Sequence, residues 1–330
     1  IIAIDTVSGG GGGVTENGTQ AVTITITDDE SAPTVNLTTS ASSVAENGSA
    51  LTLTATLSGA TDENVTVGIS TSGTGTEGTD YATVSDITIT AGDTEGTTSF
   101  TPTDDSTFEG DETGIIAIDT VSGGSATENG TQTQTITITE NESAPTVTLT
   151  TSAISIAENA GSSLTLTATL SGATDEAVTV GISTSGTGTE GTDYATVSDI
   201  TITAGDTEGT ASFTPTDDST FEGDETGIIA IASVTGGSAT ESGTQSVTIT
   251  INEDDSGPSF SVNDVTTSNE NAANSTFTVT LSSASAVTAT VDYATSNGTA
   301  TASLDYTAAS GTLTFSAGQT TKTFTVAVLA

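Results

Sequence analysis

Leu51-Thr52-Leu53-Thr54-Ala55-Thr56-Leu57 sets a threonine between apolar residues at every step, and the same seven residues return at 164–170. Successive side chains of a strand point to opposite faces, so this pattern loads one face with Leu and Ala and the other with Thr. It predicts a half-buried antiparallel strand. Val22-Thr23-Ile24-Thr25-Ile26, Ile136-Thr137-Ile138 and Phe277-Thr278-Val279-Thr280-Leu281 read the same way. Such runs recur roughly every 8–12 residues. Turn signals separate them: Asn47-Gly48, Ser58-Gly59, Ala91-Gly92-Asp93 and Asn129-Gly130. No segment carries a helical period. Seven or so strands per unit of this size predict an all-β antiparallel sandwich.

The unit repeats. SAPTV begins at Ser31 and Ser143, LTLTATLSGATDE at Leu51 and Leu164, and DDSTFEGDETGIIAI at Asp104 and Asp217. Pro33, Pro145 and Pro258 are spaced by 112 and then 113 residues. Residues 1–30 therefore read as the closing strands of one repeat, 31–142 and 143–255 as complete repeats, and 256–330 as the opening part of a diverged fourth. A period this long suits a string of independent domains, not the turns of a solenoid. The chain starts abruptly at Ile1-Ile2-Ala3-Ile4 with no signal-peptide pattern, so it is expected to be an excerpt of a longer repetitive protein.

Composition narrows the function. One Lys, no His, no Cys and 43 acidic residues give a formal charge of −42. That charge opposes binding to nucleic acid or anionic lipid. Without His or Cys there is no imidazole base, thiol nucleophile or soft-metal site, and a Ser nucleophile would have only Lys322 to activate it. Only carboxylate chemistry of the glycosidase type stays open, so the chain is expected not to be an enzyme. No apolar run approaches the ~20 residues of a membrane span. There is no disulfide framework, which leaves a metal as the available staple.

The acids gather at five recurring places. In the first full repeat these are Glu46, Asp80, Asp104-Asp105, Glu109 with Asp111-Glu112, and Glu140-Asn141-Glu142. In the second they are Glu158, Asp193, Asp217-Asp218, Glu222 with Asp224-Glu225, and Glu253-Asp254-Asp255. All fall at expected strand ends or loops. Ca²⁺ takes six to eight oxygens at about 2.3–2.6 Å, commonly from several loops, so carboxylates in this pattern suit it. In Asp-Asp-x-x-Phe-Glu-x-Asp-Glu the turn presents the acids while the Phe is expected to anchor the loop to the domain's own core.

GTEGTDY, a strand, ITITAGD and a strand running into DDSTFEGDE together resemble the Calx-β domain, across both full repeats and less completely in the partial ones. The resemblance implies an immunoglobulin-like sandwich with a Ca²⁺ cluster at one end, as in regulatory domains of sodium–calcium exchangers. It also implies tandem use in large bacterial surface and adhesion proteins. The ligands it implies are Glu46, Asp80, Asp104, Asp105, Glu109, Glu112, Glu140 and Glu142, with the carbonyl of Thr107. In the second full repeat they are Glu158, Asp193, Asp217, Asp218, Thr220, Glu222, Glu225, Glu253, Asp254 and Asp255. The partial repeats keep Asp28, Asp29 and Glu30, and Glu270 and Asp305. Asn141 interrupts the closing acidic triplet of the first full repeat, where it offers a neutral oxygen.

Other features have plainer readings. Asp62, Glu63, Asp86, Asp93 and Glu95 are assigned to the solvated surface. Tyr81, Tyr194 and Tyr306 follow an Asp and are expected in the core or at a strand corner. The Thr ladders fit ordinary solvent-facing strands. The run Gly9–Gly13 lacks the Lys and helix of a phosphate loop and reads as a hairpin tip. Asn17, Asn47, Asn129 and Asn297 each stand in an Asn-Gly-Ser/Thr turn that also matches the glycosylation acceptor pattern.

The expected function is structural: a Ca²⁺-stiffened shaft of tandem sandwiches, forming a rod in an extracellular adhesin or surface filament. Its partners would be neighbouring repeats of the same chain and identical copies in a filament, with no nucleic acid and no direct membrane insertion. The short linkers Ser31-Ala32-Pro33, Ser143-Ala144-Pro145 and Ser256-Gly257-Pro258 support stiffness. Two alternatives stand beside it. One is a Ca²⁺-dependent glycan- or receptor-binding module. The other is a filament subunit in which residues 1–30 of one copy complete residues 256–330 of the next by strand addition.

Overall fold

A computed structural model describes residues 1–7, 13–27, 29–267 and 274–329. Every regular element among them is a β-strand. No helix is long and apolar enough to cross a membrane, which leaves strand-built spans unaddressed. The chain falls into two compact units, Ile1–Asp104 with Asp111–Thr139, and Asp105–Gly110 with Glu140–Ala330.

In the first unit two sheets face each other. One holds Ser43–Ala45, Thr133–Thr139, Glu112–Ser122, Val65–Gly73 and Ile87–Ile89 in that order, and the other Thr127–Glu128, Thr34–Thr39, Leu51–Leu57 and Glu95–Phe100. The alternation read from Leu51–Leu57 holds: Leu53, Ala55 and Leu57 are buried while the threonines between them are only partly so. Each such Leu contributes about 1.5–3 kcal/mol of burial free energy. Val35, Leu37, Val65, Val67, Ile87, Ile89, Phe100, Ile116 and Ile136 complete the core between the sheets.

The pairing is not wholly antiparallel. Ser43–Ala45 runs parallel to the end of Thr133–Thr139, and Thr127–Glu128 runs parallel to the start of Thr34–Thr39. The chain leaves one sheet at Thr39, turns, and re-enters the opposite sheet at Ser43. That switch carries Glu46 to the sheet edge where the domain's last strand also ends.

The second unit repeats this plan with Ser155–Ala157, Ser246–Asn252, Glu225–Thr235, Val178–Gly186 and Ile200–Ile202 against Thr240–Glu241, Thr146–Thr151, Leu164–Leu170 and Glu208–Phe213. Tyr194 and Phe213 are fully buried with ring centroids 4.8 Å apart, as are Tyr81 and Phe100 in the first unit at 4.7 Å. The expectation of core tyrosines holds for both; Tyr306 is half-buried, with its hydroxyl donating to Asn297 Oδ1 at 3.0 Å. Past Pro258 the unit adds a three-stranded sheet, Phe260–Val262, Ser275–Leu281 and Thr321–Val326, and a two-stranded one, Ala289–Ala294 and Ser310–Phe315.

The phenylalanine of the acidic loop does not anchor to its own core. Thr107–Phe108 instead pairs in parallel with Ala173–Thr174, inside the second unit. Phe221, its counterpart, bridges to Ser285. Both rings are half-buried. The domain's core is already filled by Phe213 and its neighbours, and the loop satisfies its backbone on the module that follows.

Candidate metal centre

The acidic end of the second full repeat is built by strand ends. Ala157 stands opposite Asn252 in the parallel pair, and Glu158 N donates to Asn252 O at 3.0 Å. This register sets Glu158 beside Glu253. Glu225 opens its strand opposite Ile251. Asp193 closes the turn before Tyr194: its Oδ2 accepts from Thr189 N at 2.5 Å and its carbonyl from Thr216 N at 3.0 Å. The second of these bonds brings Asp217-Asp218 to the same end.

Three overlapping sets of carboxylates result: Glu158, Glu253 and Asp254; Glu158, Asp218 and Glu222; Asp193, Glu222 and Glu225. In each set one oxygen per residue lies within 4.8 Å of the others. Glu158 and Glu222 belong to two sets each, so the acids form a continuous train. Two full charges at such a distance repel by roughly 3–4 kcal/mol at an effective dielectric of 20.

Ionisation follows from this crowding. Glu158 is only 7% exposed. Burial, then the charges of Glu253, Asp218 and Asp254, push its carboxyl up to about 7, against the pull of a 3.2 Å hydrogen bond from Asp218 N. Glu225 also rises to about 7 through burial and the neighbouring Asp193, Glu222 and Glu158. Burial and the charges of Asp193, Asp218 and Glu253 raise Glu222. Glu253 goes the other way. Burial opposes its charge, but backbone N–H groups of Glu222, Gly223, Asp254 and Asp255 converge on it and lower it. Its Oε2 accepts from Glu222 N at 2.5 Å and Gly223 N at 2.6 Å, clasping the acidic loop to the domain's last residues.

The donor set fits a hard divalent cation. Every ligating side chain offers oxygen, and the train holds more negative charge than it can ionise near neutral pH. Asp255 Oδ2 is enclosed with no hydrogen-bond partner among the described residues. Burial and the charges of Asp254, Glu253, Asp218 and Asp217 raise the Asp255 carboxyl, which puts Asp217 and Asp255 near the train as well. Thr220 lies in the loop, with its N–H on Asp218 Oδ1 at 2.6 Å.

The matched residues of the first full repeat keep the same local roles. Glu46 is buried and donates its N–H to Thr139 O at 3.0 Å. Asp80 Oδ2 accepts from Thr76 N at 2.5 Å, Glu112 opens its strand, and Asp104 is exposed. Asp105, Thr107, Glu109, Glu140 and Glu142 lie in the second unit. There Asp105 Oδ1 accepts from Thr107 N at 2.6 Å. Glu140 Oε2 accepts from Glu109 N at 2.6 Å and Gly110 N at 2.8 Å, and its Oε1 from Glu142 N at 2.9 Å. Burial opposes these bonds, yet they hold Glu140 at about 2. Asn141 turns its amide nitrogen to Glu142 Oε1 at 2.9 Å, so that side chain acts here as a donor.

Elsewhere, among the described residues, the expected acids form no further carboxylate set within 4.8 Å beyond those of the two full repeats. Asp29 and Glu30 are exposed, and exposed Asp305 accepts from Thr301 N at 2.7 Å, as a turn residue. Asp28, Glu270 and Gly9–Gly12 of the glycine run lie outside the described residues. Two participants were absent from the implied ligands: Asp224, whose Oδ1 accepts from Glu253 N at 3.1 Å, and Asn159, whose amide donates to Asp254 Oδ2. Each is next to an expected ligand in sequence, which is the signal that could have found it. Asp86 is exposed, as expected of a surface acid, and its Oδ1 also accepts from Ile69 N at 2.9 Å, tying the residue before Ile87–Ile89 to the neighbouring strand.

Comparison with known proteins follows the repeat plan. The Calx-beta domain profile matches three segments, 28–142, 140–255 and 253–330. No curated protein sequence matches the chain. Among solved structures, CBD12 from CALX1.2 is 17% identical, with 67% of this chain and 100% of that one covered, at a TM-score of 0.31. The apo form of the Calx CBD1 domain is 21% identical over 34% of this chain and 99% of that one, at 0.30. The adhesin InvE of Yersinia pseudotuberculosis is 14% identical over 66% and 59%, at 0.32. With the profile spanning both complete repeats and the partial one after them, the chain belongs to the Calx-beta domain family as a tandem array.

Proposed function

We propose that this chain is a Ca²⁺-stiffened structural shaft, part of an extracellular adhesin or surface filament. Its role is mechanical and not catalytic. One observation carries the reading: the loop that supplies Asp218 and Glu222 to the acidic train is the loop that joins the next repeat. Phe221 O accepts from Ala286 N at 3.0 Å and from Ser285 Oγ at 3.2 Å, and the Phe221 ring packs 3.7 Å from the position of a Cβ on Gly257 in the linker. A cation on Glu158, Asp218 and Glu222 would fix the loop from one side while the next repeat holds it from the other. Seven carboxylates then change from mutually repelling groups to a cross-link, and the joint loses freedom. Asp193, Glu225, Glu253 and Asp254 would hold the ions at either end of the train. Extracellular Ca²⁺ modules typically bind at about 10⁻⁴ to 10⁻³ M, which matches a role outside the cell.

The test is thermal unfolding and small-angle scattering of the chain in Ca²⁺, in Mg²⁺ and in chelator. A Ca²⁺-specific rise in melting temperature, with a longer and straighter particle, supports the shaft. Identical curves in all three would leave the acids as surface charge and remove the proposal.

A further inference from the structure

Glu190 stands three residues before Asp193 but outside the three carboxylate sets of its repeat. Both of its oxygens are engaged. Oε2 accepts from Thr184 Oγ1 at 2.6 Å and Oε1 from Val197 N at 2.8 Å. Thr184 belongs to the strand Val178–Gly186, and Val197 is a buried core residue. A side-chain hydrogen bond also joins Thr184 to the buried Tyr194. Thr184 spends its single proton on Glu190, so the Tyr194 hydroxyl is the donor of that bond. One carboxylate thus clasps the strand before the turn to the core segment after it.

Inside the clasp lies the turn that presents Asp193. Asp193 N donates to Thr189 O at 2.9 Å, Thr189 N to Asp193 Oδ2 at 2.5 Å, and Gly191 N to Tyr194 O at 2.7 Å. These bonds fix the shape of the turn. Where it lies is fixed by Thr216 N on Asp193 O, by Ala195 N on Thr214 O, and by Glu190. The other two members of the Asp193 set come from separate elements: Glu225 opens a strand, and Glu222 sits on the loop clasped by Glu253. Their spacing to Asp193 therefore depends on how the turn is seated.

The device recurs along the chain. In the first full repeat Glu77, three residues before Asp80, accepts from Thr71 Oγ1 at 2.5 Å and from Val84 N at 2.9 Å. In the last repeat Ala302 takes the place of the glutamate, and other side chains supply the acceptors. Thr295 Oγ1 takes Ala309 N at 3.0 Å, while Asn297 Oδ1 takes Ala302 N at 2.8 Å and the Tyr306 hydroxyl at 3.0 Å. The Asp305 turn keeps its bond from Thr301 N. What persists is a set of side-chain oxygens around the turn, with or without a charge.

We propose that Glu190 is the positioning residue for the Asp193 end of the metal centre: it binds no ion itself, and it seats the 189–194 turn so that Asp193 meets Glu222 and Glu225. The role rests on the Ca²⁺ reading of the carboxylate train. Outer partners of this kind orient the groups that touch the metal.

Backbone-amide NMR of the full chain tests it, with Glu190→Ala and Glu190→Gln beside the parent. In Ca²⁺ titrations the Thr189 amide reports the Asp193 end, and the Asp255 amide, on Glu253 Oε1, reports the other. Glu190→Ala should weaken Ca²⁺ binding at the Thr189 amide by roughly tenfold or more, and at the Asp255 amide by less. Glu190→Gln should restore the parent midpoint, because its oxygen keeps Val197 N and its NH₂ donates to Thr184, whose oxygen accepts from Tyr194 as well. In chelator, Glu190→Ala should exchange its Thr189 and Asp193 amide hydrogens faster, and that of Asp255 at the parent rate. An alanine variant that melts lower but keeps the parent's Ca²⁺ midpoints would make Glu190 a structural residue and overturn the proposal. A glutamine variant as weak as alanine would overturn it too, since the charge and not the seating would then matter. A parent that binds no Ca²⁺ is a different failure: it removes the metal reading itself, and the role of Glu190 with it.

Discussion

Phe221 and Ala286 belong to different repeats, yet the carbonyl of one accepts the amide of the other at 3.0 Å. The acidic loop is therefore held from both sides, and its two roles can be separated. Phe221→Ala leaves the backbone bonds and every carboxylate in place while removing the ring from Gly257. Ca²⁺ affinity should stay within about twofold of the parent, because no ligand changes. The Ca²⁺-dependent straightening in scattering should shrink clearly. Equal losses of affinity and straightening would mean the ring organises the ligands and not the joint.

In chelator the chain should lose stability as pH rises from about 4.5 to about 7. Glu158 and Glu225 titrate near 7 in the folded state against 4.5 as a reference, so the folded chain binds more protons across that window. Stability from these two is complete below the lower value and lost through the upper. Glu140, at about 2, acts oppositely, contributing above 4.5 and failing as the pH falls towards 2, and the lowered Glu253 works in the same direction. Melting temperature in chelator should thus peak in the mildly acid range. Saturating Ca²⁺ should flatten the neutral limb, because the ion replaces the protons. A melting temperature that climbs steadily from pH 5 to 8 in chelator would contradict the assignment.

Glu158→Gln tests the same crowding at one residue. The amide oxygen can still accept from Asp218 N, and one buried charge disappears from two of the three carboxylate sets. At pH 8 in chelator the variant should melt higher than the parent. In Ca²⁺ it should melt lower, having lost a ligand shared between sets. This crossing of the two curves is the diagnostic; a variant lower in both conditions would make Glu158 a structural residue only.

Much of the fold was legible because the Thr alternation has period two and Leu53, Ala55 and Leu57 fall on one face. The sheet switch at Ser40–Ser42 was not legible, since a short polar bend looks like any turn until its partner strand is known. The acidic end was readable as a set of recurring clusters, but its internal division was not. Glu253 looks like any of the other acids in sequence, and only the convergence of backbone N–H groups separates it from Glu158. The loop phenylalanine misled for a similar reason. A half-apolar loop with one aromatic ring reads as anchored to the nearest core, and its docking on the next repeat depends on a contact 64 residues away, between Phe221 and Ser285.

Gly227 shows a further constraint hidden in sequence. A Cβ there would meet Phe213 Cε2 at 2.7 Å and Cζ at 2.9 Å, and Phe213 is fully buried against Tyr194. Gly227→Ala should destabilise the second full repeat by about 1–3 kcal/mol, with or without Ca²⁺. Chemical denaturation that shows no loss would mean the Phe213 ring moves aside at little cost.

Glu253→Gln should behave opposite to Glu158→Gln in chelator, although both replace a Glu of the same carboxylate set. Glu253 uses both oxygens: Oε2 takes Glu222 N and Gly223 N, and Oε1 takes Asp255 N at 2.8 Å and Asp254 N at 3.1 Å. An amide can keep only one of these oxygens, and its NH₂ would then face backbone donors. Bonds to a charged acceptor contribute about 1.5–3 kcal/mol each, so the variant should lose stability in chelator as well as in Ca²⁺. The loop 222–223 should also exchange its amide hydrogens faster, because the clasp that protects them is gone. Unchanged exchange at Glu222 and Gly223 would show that the next repeat alone, through Phe221, is enough to hold the loop.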